Sequence, residues 1–260
     1  MESHPLNLSV VIPVYKNAAT LEQLYQRLVS SLEGCSPFEL IFVDDACPQD
    51  SFSILRKLCI QDTRVCALQL AKNMGQNYAV LAGLSEARGK RVVILDADLQ
   101  DPPEVIPQLA ARLDTGFSIV FAGRRGRYET SSRLLTSKLY KSVLHLICGI
   151  PADAGIFMVL ERSVVDNMLA LYAPQPFIVS MAGCLGTKMS SIPVERSSRS
   201  SGVSAYSSWK RLQIGLMSIV WAVLWKTWYK SRRIPGQTHA FTIRERLGAR
   251  FNKVEENLND

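Results

Sequence analysis

Val92–Glu104 reads VVILDADLQDPPE: an unbroken apolar run, then three aspartates, Asp96, Asp98 and Asp101, then Pro102 and Pro103. An apolar run of this length predicts a strand buried on both faces. The acids then stand where that strand surfaces. Side chains alternate along an extended segment, so Asp96 and Asp98 share a face. Two such carboxylates repel each other and one keeps its proton, unless a divalent cation lies between them; oxygen ligands suit Mg²⁺ or Mn²⁺. A cation held there also grips a diphosphate and neutralises charge that grows on a departing phosphate.

The same unit recurs to either side. Leu8–Tyr15 (LSVVIPVY) predicts a buried strand, and Leu21, Leu24, Tyr25, Leu28 and Leu32 then fall at helical spacing. Phe38–Asp45 (FELIFVDD) precedes a helix through Ile54, Leu55, Leu58 and Cys59; Val65–Ala71 (VCALQLA) precedes one through Tyr78, Leu81, Ala82 and Leu84. Arg91–Asp98 leads into a helix entered through the proline pair, where proline suits the first turn, and Ser118–Arg125 (SIVFAGRR) is a fifth strand. Strands alternating with helices predict an α/β fold of three layers, its mostly parallel sheet covered on both faces. Ligands in such sheets sit beyond the carboxyl ends of the strands. Asp44, Asp45, Lys72, Asn73, Asp96, Asp98 and Arg124 all fall there. A cap on the following helix is the alternative reading for Asp50 and Asp101.

A chain of 260 residues, 47% hydrophobic, is long enough to bury a core without disulfides. Its six cysteines form no C-x-x-C pair and its N-terminus shows no leader pattern, so buried thiols in a reducing cytosolic setting are expected. The net charge of +7 is unevenly spread: residues 1–120 carry 10 Lys/Arg against 14 Asp/Glu, residues 121–260 carry 20 against 9. The basic half calls for an anionic partner or surface. No RNA-reading motif, zinc-finger spacing or aromatic-basic interleaving points to nucleic acid. PVYKNA stands where a dinucleotide-binding glycine fingerprint would follow strand one, and no P-loop occurs.

PVYKNAATL, VDDACPQD, NMGQNYAVLAGLSEARG, DADLQDPPE, AGRR and RSSRSSGVSAYS occur in that order. Together they resemble family 2 glycosyltransferases of the GT-A fold, and most closely the branch that moves a sugar onto a polyprenyl phosphate. The resemblance runs from about Leu8 to Lys210, and DADLQDPPE is its most specific element. It implies an inverting, metal-dependent transfer from a nucleoside diphosphate sugar. By position, Pro13, Tyr15 and Asp44 would contact the nucleoside, with Asp45 and Lys72 beside them; Asp96 would bridge ribose and metal, and Asp98 and Gln100 would ligate Mg²⁺ or Mn²⁺. Arg124 and Arg133 would face the diphosphate or acceptor phosphate. Arg199, Ser204 and Tyr206 would belong to a loop closing over the donor.

Two departures stand out. The family's DDGS is DDAC here, with Ala46 and Cys47; its GDFRL is Gly155-Ile156-Phe157-Met158-Val159, without the acid assigned to the acceptor. Asp153 is a candidate replacement. A hydroxyl acceptor needs a general base, but a phosphate monoester, with a second pKa of about 6, is already ionised near neutrality. The loss therefore favours a phosphate acceptor, the alternatives being a hydroxyl acceptor on a glycan or envelope polymer and a nucleotide-sugar binder with little turnover.

The domain reading is a catalytic unit over 1–208, an amphipathic helix over 209–233 and a polar tail over 234–260. Leu212–Trp225 (LQIGLMSIVWAVLW) is an apolar run of 14 residues. As a helix it reaches roughly 21 Å, short of the roughly 30 Å hydrocarbon core. Trp221, Trp225 and Trp228 share a helical face, and Lys210, Arg211, Lys226, Lys230, Arg232 and Arg233 flank the run without an acid. This predicts an interfacial helix, with a helix packed on the domain or a tilted span as alternatives. The expected place is peripheral, at the cytoplasmic face of a membrane, helped by self-association or a small membrane-protein partner. Within the tail, a short helix is expected over about Thr242–Asn257.

Overall fold

The computed structural model describes residues 6–125, 140, 142–171, 173, 175–197, 208–227 and 241–251. The five expected strands form: β1 (Leu8–Val14), β2 (Phe38–Asp44), β3 (Val65–Leu70), β4 (Arg91–Ile94) and β5 (Ile119–Arg125). Helices α1 (Leu21–Leu32), α2 (Ser51–Gln61), α3 (Gln76–Glu86) and α4 (Ile106–Leu113) fill the gaps. Every residue of β1 and β2 is buried, the polar Ser9, Glu39 and Asp44 included. The buried positions of α1, Leu21, Leu24, Leu28 and Leu32, follow the helical period.

After β5 come α5 (residues 142–148), β6 (Met158–Glu161), α6 (Arg162–Leu169), α7 (Ile178–Cys184), β7 (Met189–Glu195), α8 (Ser208–Thr227) and β8 (Ile243–Leu247). The eight strands form one sheet in the order β7-β5-β6-β4-β1-β2-β3-β8. β1, β2, β3 and β4 run parallel, and β5 runs parallel to β7. β6 is antiparallel to both β4 and β5 and sits between them. One core cluster packs α3, α5, α6, α7 and α8 on one face of the sheet; a second packs α1, α2 and α4 on the other.

The expected helix over Thr242–Asn257 is corrected at its start by β8, which pairs antiparallel with β3 from Ala67↔Leu247 to Leu70↔Ile243; among the described residues of that span helix begins only at residue 249. Ile243, Arg244, Glu245, Arg246 and Leu247 alternate half-buried and exposed, a period of two that serves a sheet edge. Pairing with the open edge of β3 overrides local helical preference. Beneath the sheet, Glu39 of β2 accepts bonds from Ser9 Oγ (2.6 Å), the Arg88 N–H (2.8 Å) and Arg250 Nη1 (2.8 Å). This buried carboxylate pins the segment after β8 to the body of the domain.

Candidate active site

Strands β1, β2 and β4 end at a cavity of about 610 Å³. Pro13, Tyr15 and Asn17 line it from the end of β1, Asp45 from β2, Asn73–Ala79 from the entry to α3, and Asp96, Ala97 and Asp98 from beyond β4. Gln175, Pro176 and Phe177 before α7, and Ile214 of α8, complete the wall. Backbone strain gathers at this rim: Lys16 (φ 60°), Ala46 (φ 50°) and Leu99 (φ 61°) are non-glycine residues in left-handed conformation in the turns that follow β1, β2 and β4.

Asp96 and Asp98 lie beyond the last paired residue of β4, in a turn rather than on the strand itself, and both face the cavity. Asp96 accepts a bond from the Gln76 side-chain amide. Burial, followed by the charges of Asp101 and Asp98, pushes the Asp96 carboxyl up to about 7, against the opposing charges of Arg124 and Arg196. Asp98 Oδ1 accepts the Gln100 N–H (3.1 Å), shaping the turn at the strained Leu99. Gln100 itself does not line the cavity, and its carbonyl accepts the Ser197 N–H (3.0 Å).

Behind the turn, buried Asp101 pairs with Arg196 at 2.6 Å; it is not a helix cap. Its carboxyl is raised by burial, with Arg196 and Arg124 pulling the other way. Arg124 closes β5 with its guanidinium against Gly155: a Cβ there would stand 2.6 Å from Arg124 Nε. Arg124 is not part of the cavity wall, but its charge reaches Asp96 and Asp101.

The two acids at the end of β2 face different ways. Asp44 is buried and turned away from the cavity, accepting the Cys47 N–H (3.1 Å) and Ser51 Oγ (2.5 Å) at the entry to α2. Asp45 lines the cavity, and its two oxygens accept the N–H groups of Met74 (2.7 Å) and Gly75 (2.8 Å). Burial raises its carboxyl, and those two bonds partly offset the rise. The Lys16 N–H donates to the Cys47 sulfur at 3.1 Å. Lys72 is exposed and outside the cavity, although its neighbour Asn73 is in the wall. Arg133, Arg199, Ser204 and Tyr206 lie outside the described residues.

Asp153 stands apart from the cavity wall. It accepts Ser191 Oγ (2.8 Å), and its carbonyl accepts the Arg124 N–H (3.0 Å). Ile156 instead packs half-buried against the core, and Met158 is fully buried in β6. Gln76 and Arg196 are the site residues that sequence reasoning passed over. Gln76 lies inside the quoted NMGQN stretch, whereas nothing local to Arg196 announces its pairing with Asp101, 95 residues earlier.

The acids fit a hard divalent cation. Asp96 and Asp98 face one cavity, and burial, with the charges of Asp101 and Asp98 added to it, raises the Asp96 carboxyl, a rise that a bound cation would oppose. Among the described residues no group of three His, Cys, Asp or Glu side chains forms a complete ligand set. The fit is therefore to an ion completed by water and substrate phosphate oxygens, the usual habit of Mg²⁺.

α8 covers one side of the cavity mouth. Trp221 is 5% exposed, facing the core, and stacks on the half-buried Trp225 with ring centroids 5.9 Å apart; Trp228 lies outside the described residues. The outward face is aliphatic: Leu216 (62% exposed), Met217, Val220 and Val223. No helix among the described residues is long and apolar enough to cross a membrane.

The profile of glycosyl transferase family 2 matches residues 9–164. An uncharacterized glycosyltransferase, YkcC, of Bacillus subtilis (strain 168) is 32% identical over 84% of this chain and 68% of its own length. An undecaprenyl-phosphate 4-deoxy-4-formamido-L-arabinose transferase of Proteus mirabilis (strain HI4320) is 35% identical over 80% of this chain and 65% of its own length. The chain thus spans about two thirds of these relatives. Mannosyl-3-phosphoglycerate synthase from Rubrobacter xylanophilus shares the fold, with a TM-score of 0.61 and 15% identity over 96% of this chain and 90% of that one. With an acid-lined cavity at the carboxyl ends of a GT-A sheet and a family match over more than half its length, the chain belongs to glycosyl transferase family 2.

Proposed function

We propose that this chain transfers a sugar, with inversion, from a nucleoside diphosphate sugar to a polyprenyl phosphate. The observation that carries the proposal is the acidic lip: Asp96 and Asp98 on one cavity wall, with the charges of Arg124 and Arg196 acting on it from behind. Pro13, Tyr15 and Asp45 form the nucleoside side of the cavity, in place of the inward-turned Asp44. Asp96 and Asp98 hold Mg²⁺ or Mn²⁺, which when bound supplies positive charge to the leaving diphosphate. Arg124 adds a fixed cation on the same side. An acceptor phosphate oxygen attacks the anomeric carbon from the opposite face; the bond from that carbon to the diphosphate oxygen breaks, and the nucleoside diphosphate leaves.

Two further observations support a lipid phosphate as acceptor. The half-buried Ile156 offers no carboxylate to deprotonate a hydroxyl, and a phosphate needs none. Relatives at 32–35% identity are named for undecaprenyl phosphate. The aliphatic face of α8 supports peripheral attachment to a membrane, because Ile214 of the same helix belongs to the cavity wall. Attachment there brings the cavity mouth to the lipid.

The test is incubation of the purified chain with labelled UDP- and GDP-sugars, Mn²⁺ and a short polyprenyl phosphate. Label in the organic phase is expected. Label confined to an aqueous glycan identifies a hydroxyl acceptor, and nucleotide binding without transfer identifies a binder; either result overturns the proposal.

A further inference from the structure

Two thiols that the transfer chemistry leaves unused meet where α5 and α7 end. Cys148 ends α5 and Cys184 ends α7; both are buried, at 4% and 7% exposure, with their sulfurs 3.3 Å apart. The backbones around them are held close. A Cβ on Gly183 would stand 3.0 Å from Cys148 Cβ. The end of α5 is fixed as well: the Gly149 N–H donates to the His145 carbonyl (2.7 Å), and His145 Nδ1 lies 2.9 Å from the Ile150 carbonyl oxygen. All six cysteines of the chain are free thiols, and this is the sulfur pair in direct contact among the described residues.

We propose that Cys148 and Cys184 form a thiol–disulfide couple, a site of oxidative modification closed by a peroxide-class oxidant. The two sulfurs are not equivalent. The contact between the two sulfurs, in which either can donate, lowers the Cys148 thiol and raises that of Cys184; burial raises both, and the Lys226 charge on α8 favours the thiolate at both. Cys148 is therefore the attacking thiolate. It displaces one oxygen of the peroxide, giving a sulfenic acid and one water. The Cys184 sulfur then attacks the sulfenic sulfur and a second water leaves. Two thiols and one hydrogen peroxide become one disulfide and two waters.

The bond would tie α5 to α7 across 36 residues of chain. That span includes β6, α6 and the Pro176–Phe177 stretch of the cavity wall, and α8 rests on α7. Oxidation thus acts on a wall of the cavity without touching its acids, and the inference stands whether or not the proposed transfer does.

The experiment treats the full chain with hydrogen peroxide, denatures it, blocks remaining thiols with iodoacetamide and maps peptides by mass spectrometry. A Cys148–Cys184 linked peptide is expected, lighter by two hydrogens and restored by dithiothreitol, with the other four cysteines alkylated. The unfolding midpoint of the oxidised protein should rise by several degrees. Alkylation of both cysteines, sulfinic acid at Cys148, or linkage to another cysteine overturns the proposal. The attack order is tested with dimedone. Cys184→Ala should leave a trapped sulfenic acid at Cys148, whereas Cys148→Ala should leave Cys184 unlabelled; equal labelling refutes the order. Linkage mapping uses the wild-type chain, so misfolding of either variant does not spoil the test.

Discussion

Asp96→Asn should stabilise the metal-free protein, by an amount that depends on pH in a defined way. The wild-type carboxyl has an ordinary value of 3.8 and is pushed to about 7 in the fold. Below about pH 4 it is protonated in both folded and unfolded chains, and its ionisation costs the fold nothing. Between about 4 and 7 the folded state holds more protons than the unfolded state, so stability falls as pH rises; above about 7 the loss is complete. A shift of this size converts to roughly 4 kcal/mol at about 1.4 kcal/mol per unit. Because water in the cavity reaches this half-buried group, on the order of 2–4 kcal/mol is the working range. Asparagine keeps an oxygen for the Gln76 amide but carries no charge. In EDTA at pH 8 the variant should melt roughly 5–10 °C above wild type, and the gap should close toward pH 5. Mn²⁺ should raise the wild-type midpoint at pH 8 and leave the variant unmoved, since an ion that binds only the folded state stabilises it. Thermal-shift curves across pH, with EDTA and with Mn²⁺, measure all of this. A gap equal at pH 5 and pH 8, or an undiminished Mn²⁺ effect in the variant, refutes the reasoning.

Arg196→Ala leaves Asp101 buried without its cation and should cost about 3–5 kcal/mol in chemical denaturation at pH 8, less at pH 5 where the orphaned acid takes up a proton. Gly155→Ala drives a methyl group into Arg124; transfer should fall by roughly tenfold or more while the melting temperature moves little, because the far end of Arg124 can swing into solvent. Ala46→Gly relieves the left-handed φ of 50° and should stabilise by up to about 1 kcal/mol, read as a shifted urea midpoint at constant slope. Val220→Asp on the outward face of α8 should abolish flotation with vesicles containing anionic lipid while leaving nucleotide binding intact.

Legibility followed the range of the physics. β1 to β5 could be read because each is a contiguous apolar run, and their carboxyl ends could be read because an acid after such a run has few structural excuses. β6 and β7 were missed for a different reason. Met158–Glu161 has four residues and gains its place by slotting between β4 and β5, while β7 is half-exposed along most of its length and shows little apolar signal. β8 looked helical because its fate depends on the open edge of β3, distant in sequence. At the site, adjacency misled: Asp44 and Asp45 point opposite ways on leaving the sheet, and the fold alone decides which one meets the cavity. The periodicity of the tryptophans in α8 is genuine, but a one-sided apolar helix can put either face inward, and at Trp221 packing beside α7 turns the aromatic face to the core.

That choice of face bears on how a lipid phosphate would reach the acids. Tryptophan anchors a helix at headgroup depth by its polar edge, whereas a strip of Leu216, Met217, Val220 and Val223 has no polar edge and is driven only by loss of apolar surface. At about 25 cal/mol per Å², four aliphatic side chains give a few kcal/mol, enough for reversible contact and too little for permanent anchoring. Anionic headgroups attracting the lysines and arginines around α8 would add about 1 kcal/mol per residue near the surface. The two contributions act together only when the lipid is both fluid and acidic. The predicted attachment is thus conditional on lipid charge and weakens with salt, in contrast to a spanning helix, which would be indifferent to both.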